Sequence, residues 1–463
     1  MNPSANLCEG PLTKRMIFYT IPIILTGVLQ LLFNAADLVV VGRCCGSLSV
    51  AAVGATGSII NLIVNLFIGL SVGAGVTVAH AFGAHMDEDA NRTVHTAIPL
   101  SIICGIILTI VGLFGAETFL SWMGTPDDII HLSAVYMRIY FCGITASMVY
   151  NFGSAILRAA GDTQSPLIYL TVAGVLNVIL NLFFVIVFKM DVAGVALATS
   201  LSQTVSAILV LFALHRRTDA CHLSWKKMRL HKNQLLKIIK IGLPAGIQGS
   251  LFSISNVLIQ SSVNSFGSIV ISGNSAAQNI EGFTYTTMNS FHQTALNFTG
   301  QNYGAGKFDR IRKILAISLI CVTIAGLGAG AASYFFAHPL LSIYIPGDED
   351  AIAYGVTRLA YIALPYFLCG IMDVMTGMIR GLGSSVAPMF ICIIGVCGMR
   401  ITWIYTVFRM PKYHTLECLY SSYPISWMLT FICEILVFFL IFHISRKKMQ
   451  EHTEPSESET VPS

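Results

Sequence analysis

The chain has 463 residues, of which 55% are hydrophobic and 11% are charged, and its mean hydropathy is +0.73. A soluble globular protein carries roughly 25% charged residues because its surface must be hydrated, so this composition excludes a soluble fold. The net charge of +4 does not indicate nucleic-acid binding, because the basic residues cluster at the ends of apolar segments. We therefore expect a protein surrounded by membrane lipid, with no nucleic-acid partner.

Apolar segments recur along the whole chain. A helix needs about 20 apolar residues to cross a hydrocarbon core of ~30 Å, and most of these segments lack Asp, Glu, Lys and Arg for that length. They predict an all-α integral membrane protein with twelve transmembrane helices. The predicted spans lie near residues 15–42, 50–80, 94–116, 130–156, 166–188, 192–214, 236–263, 272–299, 313–336, 352–378, 385–408 and 424–445.

The basic residues predict the orientation. With a cytoplasmic N-terminus, twenty lysines and arginines lie in the tails and the even-numbered connections, and four lie in the outer loops. Cytoplasmic loops of membrane proteins carry such an excess of positive residues. We therefore predict a multi-pass protein of the plasma membrane with both termini in the cytoplasm.

The two halves of the chain resemble each other at a fixed offset. Residues 158–166 match residues 380–388 with a shift of 222 positions, and Pro22 matches Pro244 with the same shift. Because each half has six spans, both halves enter the membrane in the same orientation. This predicts two six-helix lobes related by a pseudo-two-fold axis along the membrane normal, with the substrate path between them.

The predicted domains are a cytoplasmic segment 1–14, an N-lobe 15–214, a basic cytoplasmic linker 215–235, a C-lobe 236–445 and a tail 446–463. Residues 215–240 mix basic and apolar side chains and predict an amphipathic helix on the inner leaflet, with a solvated loop as the alternative. The tail is rich in Glu and Ser and is predicted to be disordered.

Polar residues within spans are costly in lipid and are therefore functional candidates. Asp37 ends the uncharged run of the first span, although an interfacial acid is the alternative interpretation. Asn177 and Asn181 in the fifth span are four residues apart and share a helix face. Their carbonyl oxygens suit a hard cation such as Na⁺, and hydrogen bonding between helices is the alternative.

Three acids fall within predicted spans of the second half. Asp373 and Glu281 are predicted to line a cavity of the C-lobe, and Glu434 lies within the twelfth span. Asp373 corresponds to Asn151 at the 222-residue offset, so the halves differ in charge at this position. Three further polar residues are interpreted as structural or interfacial: His80, Arg138 and Arg400.

Catalytic and nucleotide-binding motifs are not found in the sequence. Residues 301–307 end in Gly-Lys but lack the other elements of a phosphate-binding loop, and no HExxH or GxSxG element occurs. We expect a transporter without a cofactor, driven by an ion gradient, and not an enzyme. A channel or an intramembrane enzyme is the alternative, distinguished by uphill transport and by a chemically altered product.

The ordered motifs resemble those of the multidrug and toxic compound extrusion (MATE) family of cation-coupled exporters over residues 14–445. The resemblance rests on these positions: Pro22, Asp37, Gly83 with Ala84, 158–162 with Pro166, 176–181, 192–199 and 300–306. It implies two lobes around a central cavity that opens alternately to either side. It also implies export of amphipathic, often cationic, compounds in exchange for Na⁺ or H⁺.

The resemblance implies that Asp37 binds the coupling ion with help from Asn177, and we extend this site to Asn181 and Thr199. Na⁺ would then lie at Asp37, Asn177 and Asn181. Many members have Asp in place of Asn181, so this chain has one negative charge fewer there. Asp373 matches a C-lobe acid that is implicated in some members.

A flippase for lipid or lipid-linked precursors is the alternative function with the same architecture. Such a protein needs basic groups that face a phosphate, and the N-lobe spans offer few apart from Arg138. This scarcity favours an exporter of small amphipathic molecules. We expect the protein to act as a monomer.

Overall fold

The computed structural model describes residues 6–453, which form helices joined by short connections, with no strand in that range. Helices are expected because a backbone in lipid must satisfy its own N–H and C=O groups. The helices of the first half are α1 Leu12–Cys44, α2 Ser47–Gly83, α3 Asp87–Trp122, α4 Asp127–Ala159, α5 Gln164–Leu182 and α6 Asp191–Arg216.

The second half repeats this order with more breaks. Its helices are α7 Lys232–Asn264, α8 Ser268–Gly304, α9 Phe308–Phe335, α10 Ala337–Tyr344, α11 Glu349–Ile362, α12 Tyr366–Gly381, α13 Val386–Cys392, α14 Met399–Tyr405 and α15 Leu416–Thr453. Turns of π-helix follow α5 at Phe183–Val187 and join α13 to α14 at Ile393–Gly398.

These helices form the predicted twelve spans. Ten helical segments of the described chain are long and apolar enough to cross a membrane, and α11 and α12, which meet at 46°, form another. The remaining span is α8, which has 37 residues and contains many Asn, Gln, Ser and Thr side chains. The prediction of an all-α membrane protein with twelve spans in two lobes is therefore confirmed.

The internal repeat is visible in the backbone. Helices α2 and α8 have 37 residues each and start after glycines with nearly the same conformation, Gly46 at φ 92° and Gly267 at φ 96°. Their other ends cross each other closely. A Cβ atom on Gly83 would lie 1.9 Å from the Gln301 carbonyl oxygen, and one on Gly304 would lie 2.1 Å from the His80 carbonyl oxygen.

Two hydrogen bonds, here called the two latches, join the lobes next to this crossing. Gln301 Nε2 donates to the carbonyl oxygen of Ala159 at 2.6 Å. His80 Nε2 lies 2.7 Å from the carbonyl oxygen of Gly381 and donates to it, because a carbonyl oxygen only accepts. The two latches are related by the repeat, since 301 − 80 = 221 and 381 − 159 = 222.

Both described chain ends lie on the side of the membrane that carries the two latches, here called the terminal face. The Leu7 N–H donates to Gln301 Oε1 at 2.9 Å, and Lys307 Nζ donates to the Cys8 carbonyl oxygen at 3.1 Å. The sulfur of Met449 lies 3.4 Å from the Cβ position of Gly306. The N-terminal segment therefore covers the contact between the lobes.

The linker between the lobes is not the predicted amphipathic helix. Residues 217–231 form an irregular connection with one short 3₁₀ turn at Trp225–Lys227. Asn91 Nδ2 donates to the carbonyl oxygens of Ala220 at 3.2 Å and His222 at 2.9 Å. Leu223 is fully buried against the N-lobe. The prediction was wrong because contacts with the N-lobe hold this segment in an irregular conformation, while Trp225 and Leu230 stay exposed.

The tail also differs from the prediction. Helix α15 continues to Thr453, so residues 446–453 are helical and not disordered, whereas 454–463 lie outside the described residues. Residues 1–5 of the predicted N-terminal segment lie outside them as well. The long last helix is consistent with its composition, because residues 446–451 are good helix formers after a regular apolar span.

Candidate functional site

The four polar residues predicted in the N-lobe meet around Asp37. Asn181 Nδ2 donates to Asp37 Oδ1, and Thr199 Oγ1 lies 3.5 Å from Asp37 Oδ2. Asn177 Nδ2 donates to Thr199 Oγ1 at 3.3 Å, and Asn181 Nδ2 also lies 3.3 Å from Asn177 Oδ1. Helices α1, α5 and α6 thus contribute to a single hydrogen-bond network, here called the Asp37 site.

Local packing explains why α1 and α5 approach closely enough to form this site. Asn177 and Asn181 lie on one face of α5, one turn apart, and both are buried. Gly174, three residues before Asn177, faces the ring of Phe33, and a Cβ at this glycine would lie 1.8 Å from the ring. A glycine is therefore needed for α1 to pack against α5 with Asp37 beside the two asparagines.

The Asp37 site has the chemistry of a small cation site. Asp37, Asn177 and Thr199 line a common pocket and Asn181 bonds to Asp37 beside it. Hard cations prefer carboxylate, amide and hydroxyl oxygens of this kind as ligands. Asn181 Oδ1 is buried without a hydrogen-bond partner, so it is available to a cation. Residues 6–453 contain no cluster of three or more His, Cys, Asp or Glu side chains suited to a metal ion.

The Asp37 site adjoins a larger central cavity between the lobes. The pocket around Asp37 is small, about 50 Å³, and the central cavity has a volume of about 430 Å³. Gln30, Asn34 and Gln203 line both spaces. Sequence reasoning missed these three residues, although Gln30, Asn34 and Asp37 are spaced i, i+4 and i+7 and thus form a polar stripe on α1.

The predicted acids of the C-lobe lie in a second cavity, of about 490 Å³, but they differ in their contacts. Glu281 forms a two-fold ion pair with Arg358, with N–O distances of 2.9 Å and 2.8 Å. Asp373 lines the same cavity, and its Oδ2 atom is buried without a hydrogen-bond partner. The charge of Glu281 is therefore used to hold Arg358, whereas Asp373 is free to meet a ligand.

The remaining polar candidates have structural contacts. Glu434 is fully buried and accepts hydrogen bonds from Thr376 at 2.6 Å and Cys392 at 3.3 Å. Arg400 donates to Ser426 at 3.0 Å and lies over the ring of Tyr423 at 4.1 Å. His80 forms one of the two latches. Arg138 lies at the surface, in an exposed ion pair with Glu117 at 2.9 Å.

Comparison with known proteins decides the family. The sequence model of the MatE family matches residues 22–183 and again residues 244–406. The starts of the two matches are separated by 244 − 22 = 222 residues, which is the offset of the internal repeat. The chain belongs to the MatE family. The resemblance drawn from the motifs is thus confirmed, and the architecture described above is that of a MATE multidrug efflux transporter.

Relatives of this MatE protein align along nearly its whole length. The "Probable multidrug resistance protein YoeA" of Bacillus subtilis is 26% identical and covers 94% of this chain and 95% of its own. The "Probable multidrug resistance protein NorM" of Thermotoga maritima is 24% identical over 88% of this chain and 87% of its own. Both names describe probable multidrug resistance proteins.

Solved structures show the same fold as this MatE chain. A structure described as the "outward-facing conformation of a multidrug resistance MATE family transporter" covers 96% of this chain and 100% of its own, with a TM-score of 0.88 and 22% identity. A MATE structure in the bent conformation gives a TM-score of 0.87 at 22% identity. At this identity the similarity concerns the fold, and the roles of individual side chains rest on the geometry above.

Proposed function

We propose that this protein is a secondary active exporter that moves amphipathic small molecules out of the cell in exchange for Na⁺ or H⁺ by alternating access. The observation that supports it is the connection between the Asp37 site and the central cavity through Gln30, Asn34 and Gln203. An ion site that shares walls with a substrate-sized cavity allows the occupant of one to change the shape of the other. Membership of a family of efflux transporters supports the same function.

Binding of the coupling ion at Asp37 would favour the conformation that releases substrate. A carboxylate in a small buried pocket lacks the hydration it has in water, so neutralising it with a proton or Na⁺ removes an electrostatic cost. Asn181 and Thr199 already point donors at the carboxylate, and both would reorient as a cation takes their place. The membrane potential adds about 2.3 kcal/mol per 100 mV for each elementary charge that moves inward.

Alternating access in this chain would require the two latches to open. In the present conformation the lobes touch at the terminal face through the crossing of α2 and α8, where Gly83 and Gly304 allow backbone contact. The central cavity lies between the lobes beyond this contact. We propose that the terminal face is cytoplasmic, in a plasma membrane, and that the transported compound leaves chemically unchanged from a monomeric protein.

The test is transport by the full chain reconstituted into vesicles, with fluorescent amphipaths of both charges and with an imposed Na⁺ or pH gradient. We expect uphill movement of one probe under one gradient, and loss of this movement in Asp37→Asn. Asp128→Asn is the matched control, because Asp128 is an exposed acid of the N-lobe outside the site. Uphill transport that Asp37→Asn leaves unchanged would exclude Asp37 as the coupling residue, and no gradient-driven transport of either probe by folded protein would refute the exporter.

A further inference from the structure

Two arginines related by the internal repeat line the central cavity. Arg158 is at the end of α4 in the N-lobe, and Arg380 is at the end of α12 in the C-lobe, 222 positions later. Both are among the residues that line the cavity of about 430 Å³ between the lobes. The sequence showed the match of the two segments, but Arg138 was taken as the main basic group of the N-lobe spans, and Arg138 lies in an exposed ion pair instead.

No acid among the described residues forms an ion pair with the guanidinium of Arg158. The guanidinium forms no hydrogen bond or ion pair within residues 6–453, although the residue is only partly exposed. The position two helical turns earlier on the same helix holds Asn151, whereas the equivalent position in the C-lobe holds Asp373. The N-lobe therefore lacks the carboxylate that accompanies the arginine in the C-lobe.

Arg380 is also incompletely paired. One of its terminal nitrogens donates to Gln248 Oε1 at 2.7 Å, and its Nε atom is buried without a hydrogen-bond partner. Asp373 lies seven positions earlier on α12, but it lines the C-lobe cavity and not the central one. The guanidinium of Arg380 therefore still has N–H groups that can donate to a ligand in the central cavity.

The fixed charges of the central cavity are positive. Among the described residues that line it there are two arginines and one histidine, and no Asp or Glu. Nδ1 of that histidine, His292, lies 2.6 Å from the carbonyl oxygen of Asp373 and donates to it. The other polar groups of the lining are neutral amides and hydroxyls, such as Asn289 and Gln293.

An anionic group is the ligand that this arrangement would recognise. A guanidinium presents a planar fork of N–H donors that matches a carboxylate or a phosphate, and such charge-assisted bonds strengthen when water is excluded. A cationic ligand would instead meet two arginines and no carboxylate among the described residues that line the cavity. We propose that the central cavity binds substrates through a carboxylate or phosphate group held by Arg158 and Arg380.

This inference rests on the proposed function, because it concerns the substrate of the same cavity, and it reverses the charge expected from the family resemblance. An anionic substrate and a cation at Asp37 attract each other, so their exchange would depend on the alternation of the lobes and not on charge repulsion. The apolar part of the substrate would lie against Ile23, Leu170 and Leu296, which line the same cavity.

The first experiment compares two probes that share a dansyl fluorophore and carry either a carboxylate or a trimethylammonium group. We expect the purified wild-type protein to bind the carboxylate probe at least about tenfold more tightly. Arg158→Gln should weaken that binding about tenfold, and Arg158→Lys, which keeps the charge, should weaken it less. Arg138→Gln on the same helix is the matched control and should bind like the wild type. If the wild-type protein bound the trimethylammonium probe more tightly than the carboxylate probe, this result alone would overturn the proposal.

The second experiment distinguishes the source of the anionic group. In vesicles, the carboxylate probe tests a free amphipathic anion, and fluorescent phosphatidylglycerol beside phosphatidylcholine tests a lipid phosphate with an anionic headgroup. Movement of either anionic species that depends on Arg158 and Arg380 supports the proposal and names the source. Gradient-driven export of the cationic probe alone, unaffected in Arg158→Gln, would overturn it and leave the proposed function intact. Absence of gradient-driven transport combined with Arg158-dependent anion binding would refute the exporter and support the anion site.

Discussion

Three carboxylates within the spans have different surroundings. Asp37 accepts hydrogen bonds from Asn181 and Thr199, Glu281 is paired with Arg358, and Asp373 has an oxygen without a partner. A paired group stabilises the fold and an unpaired group is available to a ligand. The same residue type therefore has a structural role in one place and a candidate binding role in another.

Removal of the charge of Glu281 should destabilise the protein. Glu281→Gln leaves the buried guanidinium of Arg358 without a carboxylate, and breaking a buried ion pair costs about 3–5 kcal/mol. Thermal unfolding in detergent should show a clear decrease in melting temperature. Asp373→Asn is the matched control, because this acid forms no ion pair in the described chain. Equal melting temperatures for wild type and Glu281→Gln would show that the pair does not stabilise the fold.

A second acid at position 181 should strengthen ion binding. Asn181→Asp places two carboxylates in contact, and their repulsion favours any cation that binds between them. The concentration of coupling ion that half-saturates transport should fall at least about fivefold, which corresponds to about 1 kcal/mol. Asn279→Asp, at an exposed position of α8, serves as the control. An unchanged half-saturating concentration would mean that Asn181 does not contact the ion.

The residues of the Asp37 site were largely predictable from the sequence. The contacts between polar residues on different helices were not. Asp37, Asn177 and Asn181 stand out because polar side chains are rare in uncharged spans. The pairing of Glu281 with Arg358, 77 residues later, depends on how α8 and α11 pack. Spacing within one helix does not contain that information.

The conformation of the linker could not be predicted from its sequence pattern. Its basic and apolar residues suit both a helix on the membrane and a segment packed on protein, and the sequence pattern is the same in the two cases. In the structure the linker is packed on protein, and Asn91 of α3 donates hydrogen bonds to two carbonyl oxygens of the linker. Arg217 and Asp219 form an ion pair within this segment.

The Arg217–Asp219 pair should help to hold the linker at physiological pH. Burial alone would raise the pKa of Asp219, but the hydrogen bond and charge of Arg217 hold it below its usual value. A lowered pKa in the folded state means stabilisation that is present above the pKa of Asp in the unfolded chain, about 3.9. This stabilisation is lost only as the pH falls through the lower folded-state pKa. The contribution should therefore be constant across the neutral range.

Limited trypsin digestion in detergent checks this pair, because the linker exposes Lys226 and Lys227. A partly exposed ion pair is worth at most about 1 kcal/mol, so Asp219→Asn should accelerate cleavage up to about fivefold at pH 8. Glu88→Gln is the control: it removes a more exposed ion pair with Arg92 and should leave the cleavage rate nearly unchanged. Cleavage rates that match the wild type would show that Asp219 does not hold the linker.

At the scale of the whole molecule, the lobes are held together where α2 crosses α8. A methyl group at Gly83 would collide with the backbone of Gln301, which cannot move aside as a side chain can. Both latches lie next to this contact. The addition of one methyl group at Gly83 should therefore change how closely the two lobes approach each other.

Gly83→Ala should separate the lobes at the terminal face and slow transport. Dyes on non-canonical residues at positions 88 and 309, which start α3 and α9 and are exposed, report the separation by single-molecule energy transfer. We expect lower transfer efficiency in the variant. Gly54→Ala on the same helix is the matched control, because nothing lies within 4 Å of a Cβ there. Identical efficiencies in all three proteins would exclude a close crossing at Gly83.

The fold was predictable at this scale because the two strongest signals, span length and the 222-residue offset, do not depend on side-chain detail. Even α8, too polar for a hydropathy criterion, was predicted as the span near residues 272–299. The bend between α11 and α12 and the π-helical turns were not, because they arise from packing between spans. The positive lining of the central cavity was missed for the same reason.

The reciprocal contact of α2 with α8 also has an evolutionary consequence. His80 touches Gly304 while Gln301 touches Gly83, and contacts of this kind, in which two equivalent positions exchange partners, are isologous. An isologous contact is what closes a two-fold dimer. The crossing thus has the form expected of two identical six-helix chains that met as a homodimer before gene fusion. In such an ancestor one arginine would stand where Arg158 and Arg380 stand now, and a difference such as Asn151 against Asp373 would make the two halves electrically unlike.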